Sequence, residues 1–170
     1  MSVTRLTQTS HVVLGLIEAM QPATPYDLKR AAEAGVQHFW ALPHTQLYSE
    51  CGRLAEAGLL AEEREEGGRR RRIYRITAAG RRALDEWRDD TEVERYELRD
   101  PGLLKLFFGA DPVRLAEAQL SEHERMLTEY EELRERAEDM PEGVRLAIDS
   151  GVGHEREYVR YWKGIAARGK

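Results

Sequence analysis

Residues 59–84 read LLAEEREEGGRRRRIYRITAAGRRAL, and this stretch decides the fold. Gly67-Gly68 stands between two extended runs, which is a tight-turn signal. On the return run Arg72, Tyr74 and Ile76 share one face, and Arg71, Ile73 and Arg75 share the other. The acidic outgoing run pairs with the basic return run across a ladder. Thr77 then caps a helix over 78–90 with Ala83, Leu84 and Trp87 facing inward. A two-stranded hairpin followed at once by a helix asks what precedes it.

Three helices precede it. Val13, Leu16, Ile17 and Met20 fall at helical spacing over 10–20, with Ser10 as the N-cap. Thr24 caps a second helix with Pro25 in its first position, running to Ala34 and stopped by Gly35. Tyr26, Leu28, Ala31 and Ala32 form its apolar side. A connector holds Phe39, Trp40 and Leu42 and ends at Pro43. The third helix spans about Thr45 to Ala57, capped by Thr45 and closed by Gly58. Leu47, Cys51 and Leu54 make its buried stripe. Phe39 and Trp87 read as core.

Residues 91–102 are polar and end in Asp100-Pro101-Gly102, a domain boundary. The expected domains are therefore 1–91 and 92–170. After the short apolar segment Leu103 to Phe108, Asp111-Pro112 opens a long helix to about Asp139. Its stripe is thin. A last helix over 142–167 carries apolar residues in steps of three and four, interrupted by Gly151 and Gly153. Those glycines either admit another helix closely or break this one. The thin seams point to a second copy of the chain as partner. Leu120, Leu127, Tyr130, Val144, Ile148, Tyr158, Trp162 and Ile165 are the expected dimerisation residues. The fold class is mainly α: a winged helix-turn-helix domain plus a long-helix dimerisation domain.

The charge distribution gives this architecture a function. The chain of 170 residues has a net charge of −5, which taken alone argues against nucleic acid. Residues 1–91 are neutral, and the acidic excess lies entirely beyond them. Arg69 to Arg82 carries seven arginines and no acid. Such a strip is either a phosphate-binding footprint or a charged strand edge that resists aggregation. In a winged helix the third helix enters the major groove and the hairpin reaches the backbone or minor groove. His44, Thr45, Gln46, Tyr48, Ser49 and Arg53 are thus the recognition-helix candidates, and Arg69, Arg70, Arg71 and Arg72 the wing candidates.

Other classes fare worse. His11, His38, His44, His123 and His154 form no metal-ligand spacing, so no metal site, cofactor or enzyme is expected. The single cysteine, Cys51, excludes an internal disulfide and reads as a small buried residue. No apolar run is long enough for a membrane helix and no signal peptide is evident, so a cytoplasmic location is expected. A winged helix used only for protein contacts is the alternative, but it has no reason to concentrate arginine at the hairpin.

These residues also resemble a family. Phe39-Trp40, Gln46-Leu47-Tyr48, Arg53-Leu54, Gly58-Leu59-Leu60, the run Arg70 to Leu84 and Trp87 look like the winged-helix domain of PadR-type transcriptional regulators. Gly151 and Glu155-Arg156-Glu157-Tyr158 through Trp162 are similar to the helical C-terminal domain of the virulence-activator branch. The resemblance implies a homodimer that binds operator DNA, usually as a repressor, and in some members releases it on binding a small molecule. Trp40, Phe107 and Phe108 are candidates for such an effector pocket, and an inverted-repeat operator follows from the dimer. Ser49-Glu50 departs from the family pattern of proline or a basic residue, and Glu50 there is expected to repel phosphate.

Overall fold

The computed structural model describes residues 5–64, 71–93, 95 and 97–169. The chain divides into two compact units, Met1–Glu94 and Arg95–Lys170.

In the first unit, α1 (Gln8–Met20) begins two residues before the expected Ser10 cap. Thr7 takes that role, and Ser10 sits three residues on as its capping-box partner: Thr7 N donates to Ser10 Oγ at 2.8 Å and Ser10 N to Thr7 Oγ1 at 3.3 Å. Helix α2 (Pro25–Ala34) starts on Thr24, with Asp27 answering from inside, and stops at Gly35. A short 3-10 turn, Val36–His38, leads to α3 (His44–Glu56). Thr45 does not cap α3. Pro43 is the N-cap, in extended conformation, and its carbonyl already accepts from Gln46 N at 2.9 Å, which places Thr45 inside the first turn. The far end closes as a Schellman motif: Leu59 N bonds Leu54 O, Gly58 N bonds Ala55 O, and Gly58 takes φ +74°.

Strands β1 (Leu60–Arg64) and β2 (Arg72–Ile76) pair antiparallel, with Leu60 opposite Ile76 and Glu62 opposite Tyr74. The other edge of β2 is bridged by Ala23, whose N and O both pair with Tyr74. Helix α4 (Ala78–Asp89) is capped by Thr77. One core unites the unit: Val13, Leu14 and Ile17, Leu28 and Ala32, Leu47, Cys51 and Leu54, Tyr74 and Ile76, and Leu84. Phe39 and Trp87, expected in it, are 61% and 42% exposed. Tyr26 also faces outward.

In the second unit the apolar segment is a helix, α5 (Pro101–Phe107), capped by Asp100. It is followed by α6 (Pro112–Arg136), capped by Asp111, and α7 (Glu142–Ala166). Helices α6 and α7 lie antiparallel. At one end Ala116 meets Trp162 and Ile165, joined by Leu103, Leu106, Leu120 and Tyr158. At the other, Tyr130 and Ala137 meet Ile148 and Val152, joined by Leu127. Between the two clusters His123 Nδ1 bonds Glu155 Oε2 at 2.6 Å, both largely buried. Helix α7 runs unbroken through its glycines because Gly151 lies against the Tyr130 ring, where any Cβ would collide.

This packing includes most of the expected dimerisation residues. Tyr130, Ile148, Trp162 and Ile165 are buried within one chain, and Leu120, Leu127 and Tyr158 pack beside them. The two thin stripes meet each other, so a second copy is not needed to cover them. Of the eight residues only Val144 remains exposed.

Candidate nucleic-acid interface

The buried stripe of α3 leaves its opposite side to solvent. His44, Thr45, Gln46, Tyr48 and Ser49 are all exposed there. Their local bonds differ. Ser49 Oγ donates to the carbonyls of Thr45 and Gln46, both at 3.1 Å, so only its lone pairs face outward. His44 Nε2 lies 3.4 Å from Glu33 Oε1 on α2, which fastens the start of α3 to that helix.

Arg53 is not free on that surface. Its Nε donates to Glu50 Oε2 at 2.9 Å, and its Nη2 reaches Glu50 Oε1 and Ser10 Oγ. The expectation that Glu50 repels phosphate is corrected by the same contacts. Glu50 turns inward, with a side chain only 12% exposed. The Arg53 bond, then that from Ser10, holds its carboxyl below the usual carboxylate range against the opposing effect of burial. Burial, reinforced by the Glu50 charge, pushes the adjacent Cys51 thiol up to about 12, so no thiolate forms at neutral pH.

On the hairpin, Arg71 and Arg72 are exposed, while Arg69 and Arg70 lie outside the described residues. Glu62 collects the cations and hydroxyl at the hairpin base: Arg64 at 2.7 Å, Tyr74 OH at 3.1 Å and Arg72 at 3.7 Å. At 3.7 Å, with about half of its side chain in solvent, Arg72 is held loosely and keeps donors for another anion. Thr24, Pro25, Tyr26, Asp27, Tyr48, Arg71 and Arg72 line one concavity, joining the start of α2, the middle of α3 and the hairpin. Sequence reasoning missed Tyr26, whose helical position resembles a core position; only the hairpin folding beside it reveals its use.

A second concavity in this unit is lined by Arg5, Leu6, Thr7, Gln8, His11, Trp87, Arg88, Asp90 and Glu92. His11 stacks on Trp87 with centroids 4.7 Å apart and planes 11° from parallel. Burial lowers the His11 pKa, and its Nδ1 has no hydrogen-bond partner in the structure. Trp40 stands partly exposed in the first unit. Phe107 and Phe108 form an exposed edge-to-face pair in the second. Among the described residues no three His, Cys, Asp or Glu side chains are grouped to hold a metal ion, and no helix is long and apolar enough to cross a membrane.

Comparison with known proteins converges on one group. Residues 13–86 match the model of the transcriptional regulator PadR-like family. The chain is 24% identical over 173 residues to the negative transcriptional regulator PadR of Bacillus subtilis (strain 168), covering 92% of this chain and 94% of that one. The crystal structure of Bacillus subtilis PadR in complex with operator DNA superposes with a TM-score of 0.82 at 21% identity, over 94% of this chain and 97% of that one. Its complex with p-coumaric acid gives 0.76 at 19% identity, over 96% and 98%. The Vibrio cholerae virulence activator AphA gives 0.70 at 24% identity, over 95% and 97%. These likenesses, all under 25% identical, show a shared fold over nearly the whole chain. It is through its first unit that the chain resembles the transcriptional regulator PadR-like family.

Proposed function

We propose that this chain regulates transcription by binding double-stranded operator DNA as a homodimer in the cytoplasm, acting as a repressor. The observation that carries the reading is the shared concavity. Tyr48 on the exposed side of α3, Tyr26 at the start of α2, and Arg71 and Arg72 of the hairpin border one hollow on one side of the first unit. Gln46 is the candidate base reader, since a carboxamide can pair bidentately with adenine. Tyr26, Tyr48, Arg71 and Arg72 are backbone contacts that set register without reading sequence.

The dimer rests on surface other than the filled α6–α7 seam. Leu104 and Phe107 on α5, Phe108 at its C-cap, and Val144, Leu146 and Tyr161 on α7 are large apolar side chains left in water by one copy. A second copy is the proposed cover, and a two-fold dimer requires an inverted-repeat operator. For a small-molecule effector, the His11–Trp87 concavity is the better receptor than the exposed Trp40, Phe107 and Phe108. It offers a stacked ring pair and the Arg5 side chain, with Arg88 held beside them by Glu18 and Asp85. A planar aromatic acid such as p-coumaric acid, the ligand solved with the Bacillus subtilis relative, is the first compound to test.

Selection of bound duplexes from a random library, followed by a salt titration, tests the reading. Enrichment of a palindrome is the expected result. Arg71→Ala and Arg72→Ala should each flatten the plot of log affinity against log salt by about 0.9 for one lost phosphate contact. A chain that enriches no sequence and shows no salt-dependent binding is a protein-contact module, and the DNA reading fails.

A further inference from the structure

We infer that Ser10 and Glu50 withdraw Arg53 from DNA, making Arg53 a residue that positions α3 and touches no phosphate. The inference rests on the DNA-binding reading above and deepens it.

All three guanidinium nitrogens of Arg53 are engaged inside the unit. Nε and Nη2 take the two oxygens of Glu50, at 2.9 and 2.5 Å. Nη2 also donates to Ser10 Oγ at 2.9 Å, and Nη1 to the carbonyl of Arg5 at 3.3 Å. This is the bidentate fork geometry that lysine cannot reproduce. Ser10 is fully buried, and its hydroxyl donates to Glu50 Oε1 at 2.6 Å while accepting from Thr7 N. The hydroxyl that closes the α1 capping box thus also grips the ion pair of α3. One buried oxygen keys the rotation of α3 to the first turn of α1.

The consequence follows from helical spacing. Gln46, Glu50 and Arg53 stand at i, i+4 and i+7, on one ridge of α3. Fixing the last two against α1 fixes the azimuth of the first. The base-reading end of a recognition helix is its N-terminal part, where Gln46 stands, whereas Arg53 is in the last turn. The paired charges also cancel, which removes the penalty of an acid on a helix that approaches phosphate.

Two variants separate positioning from contact, each titrated with salt on the selected palindrome and on random duplex, with Arg72→Ala alongside. Arg53→Lys keeps a cation and loses the fork. If Arg53 positions α3, the operator-over-random affinity ratio falls about 5–150-fold, the range for one displaced base contact, and the salt slope is unchanged. If Arg53 meets a phosphate as a point charge, Arg53→Lys leaves the ratio intact, and the inference is overturned. The combined change Glu50→Gln with Arg53→Gln removes both charges and strands neither. It should leave the salt slope at the wild-type value, where Arg72→Ala flattens it by about 0.9. Equal flattening in the combined variant makes Arg53 a phosphate contact and overturns the inference while the DNA reading stands. A wild-type chain that selects no DNA overturns both.

Discussion

Two glycines two residues apart on α7, and so on different sides of it, should respond oppositely to the same substitution. A Cβ on Gly153 meets nothing within 4 Å, so Gly153→Ala gains only the helix propensity of alanine, about 1 kcal/mol. A Cβ on Gly151 lands in the Tyr130 ring, 2.5 Å from Cζ and 2.6 Å from Cδ1. Carbon atoms settle about 3.5–4.0 Å apart, and Cε1 lies closer still, so the ring must retreat by roughly 1.5 Å. Tyr130 is only 4% exposed and wedged among Ala137, Ile148 and Val152, so it has little room. Overpacking of this kind costs about 1–3 kcal/mol. The propensity gain is common to both variants and cancels between them. Gly151→Ala should therefore be less stable than Gly153→Ala by about 1–3 kcal/mol. In a unit this small that is at least 4 °C in melting temperature. Urea unfolding of the full chain, followed by far-ultraviolet circular dichroism, measures the difference. Combining Gly151→Ala with Tyr130→Leu, which clears the ring, should recover most of it. Equal midpoints for the two alanine variants refute the close approach of α6 and α7.

Three further outcomes are expected. Gln46→Ala should lose about 1–3 kcal/mol of discrimination between the selected operator and random duplex in competition binding, and a loss equal on both would make Gln46 a backbone contact. His11 is held neutral by burial, so the unfolded chain binds more protons just below the ordinary histidine value of about 6.5. Stability of the first unit should fall as pH drops through that value and level off below the depressed folded pKa. His11→Phe, which keeps the stack on Trp87, should reduce the difference between urea midpoints at pH 7.5 and 5.5. The lowered Glu50 pKa acts only further down, where stability is lost as its carboxylate protonates. Trp162→Ala removes a side chain with no exposed surface and should cost about 3–5 kcal/mol. Hydrogen exchange should show α5–α7 opening while α1–α4 stay protected, and uniform protection would refute separate units.

What was legible in the residues follows the range of the interaction. Thr24-Pro25, Thr77, Asp111-Pro112 and Gly58 mark helix ends correctly, because a cap needs only a side chain and a backbone group two or three residues away. Thr7 and Ser10 are both cap-type residues within one turn, so residue type alone does not choose between them, and Pro43 begins α3 with no side-chain bond to announce it. Burial is another matter. Whether Tyr26, Phe39 or Trp87 is covered depends on segments far along the chain, and a helical stripe does not name its partner. The stripes of α6 and α7 pack on each other, which neither stripe announces by itself. Of the interface, the exposed side of α3 and the basic return strand could be read directly. The inward turn of Glu50 could not, since Ser10, forty residues away, draws it in.

Cys51 lies on the buried side of the helix proposed to read DNA, and it is the chain's single sulfhydryl. Sealed and fully protonated, it is blind to alkylating reagents while the first unit is closed. Capping of that one atom in a mixture with excess reagent therefore clocks excursions in which α3 lifts from its bed. Repeating the measurement with operator added converts the slowing factor into the free energy by which DNA clamps the unit shut, with no label introduced and no residue changed.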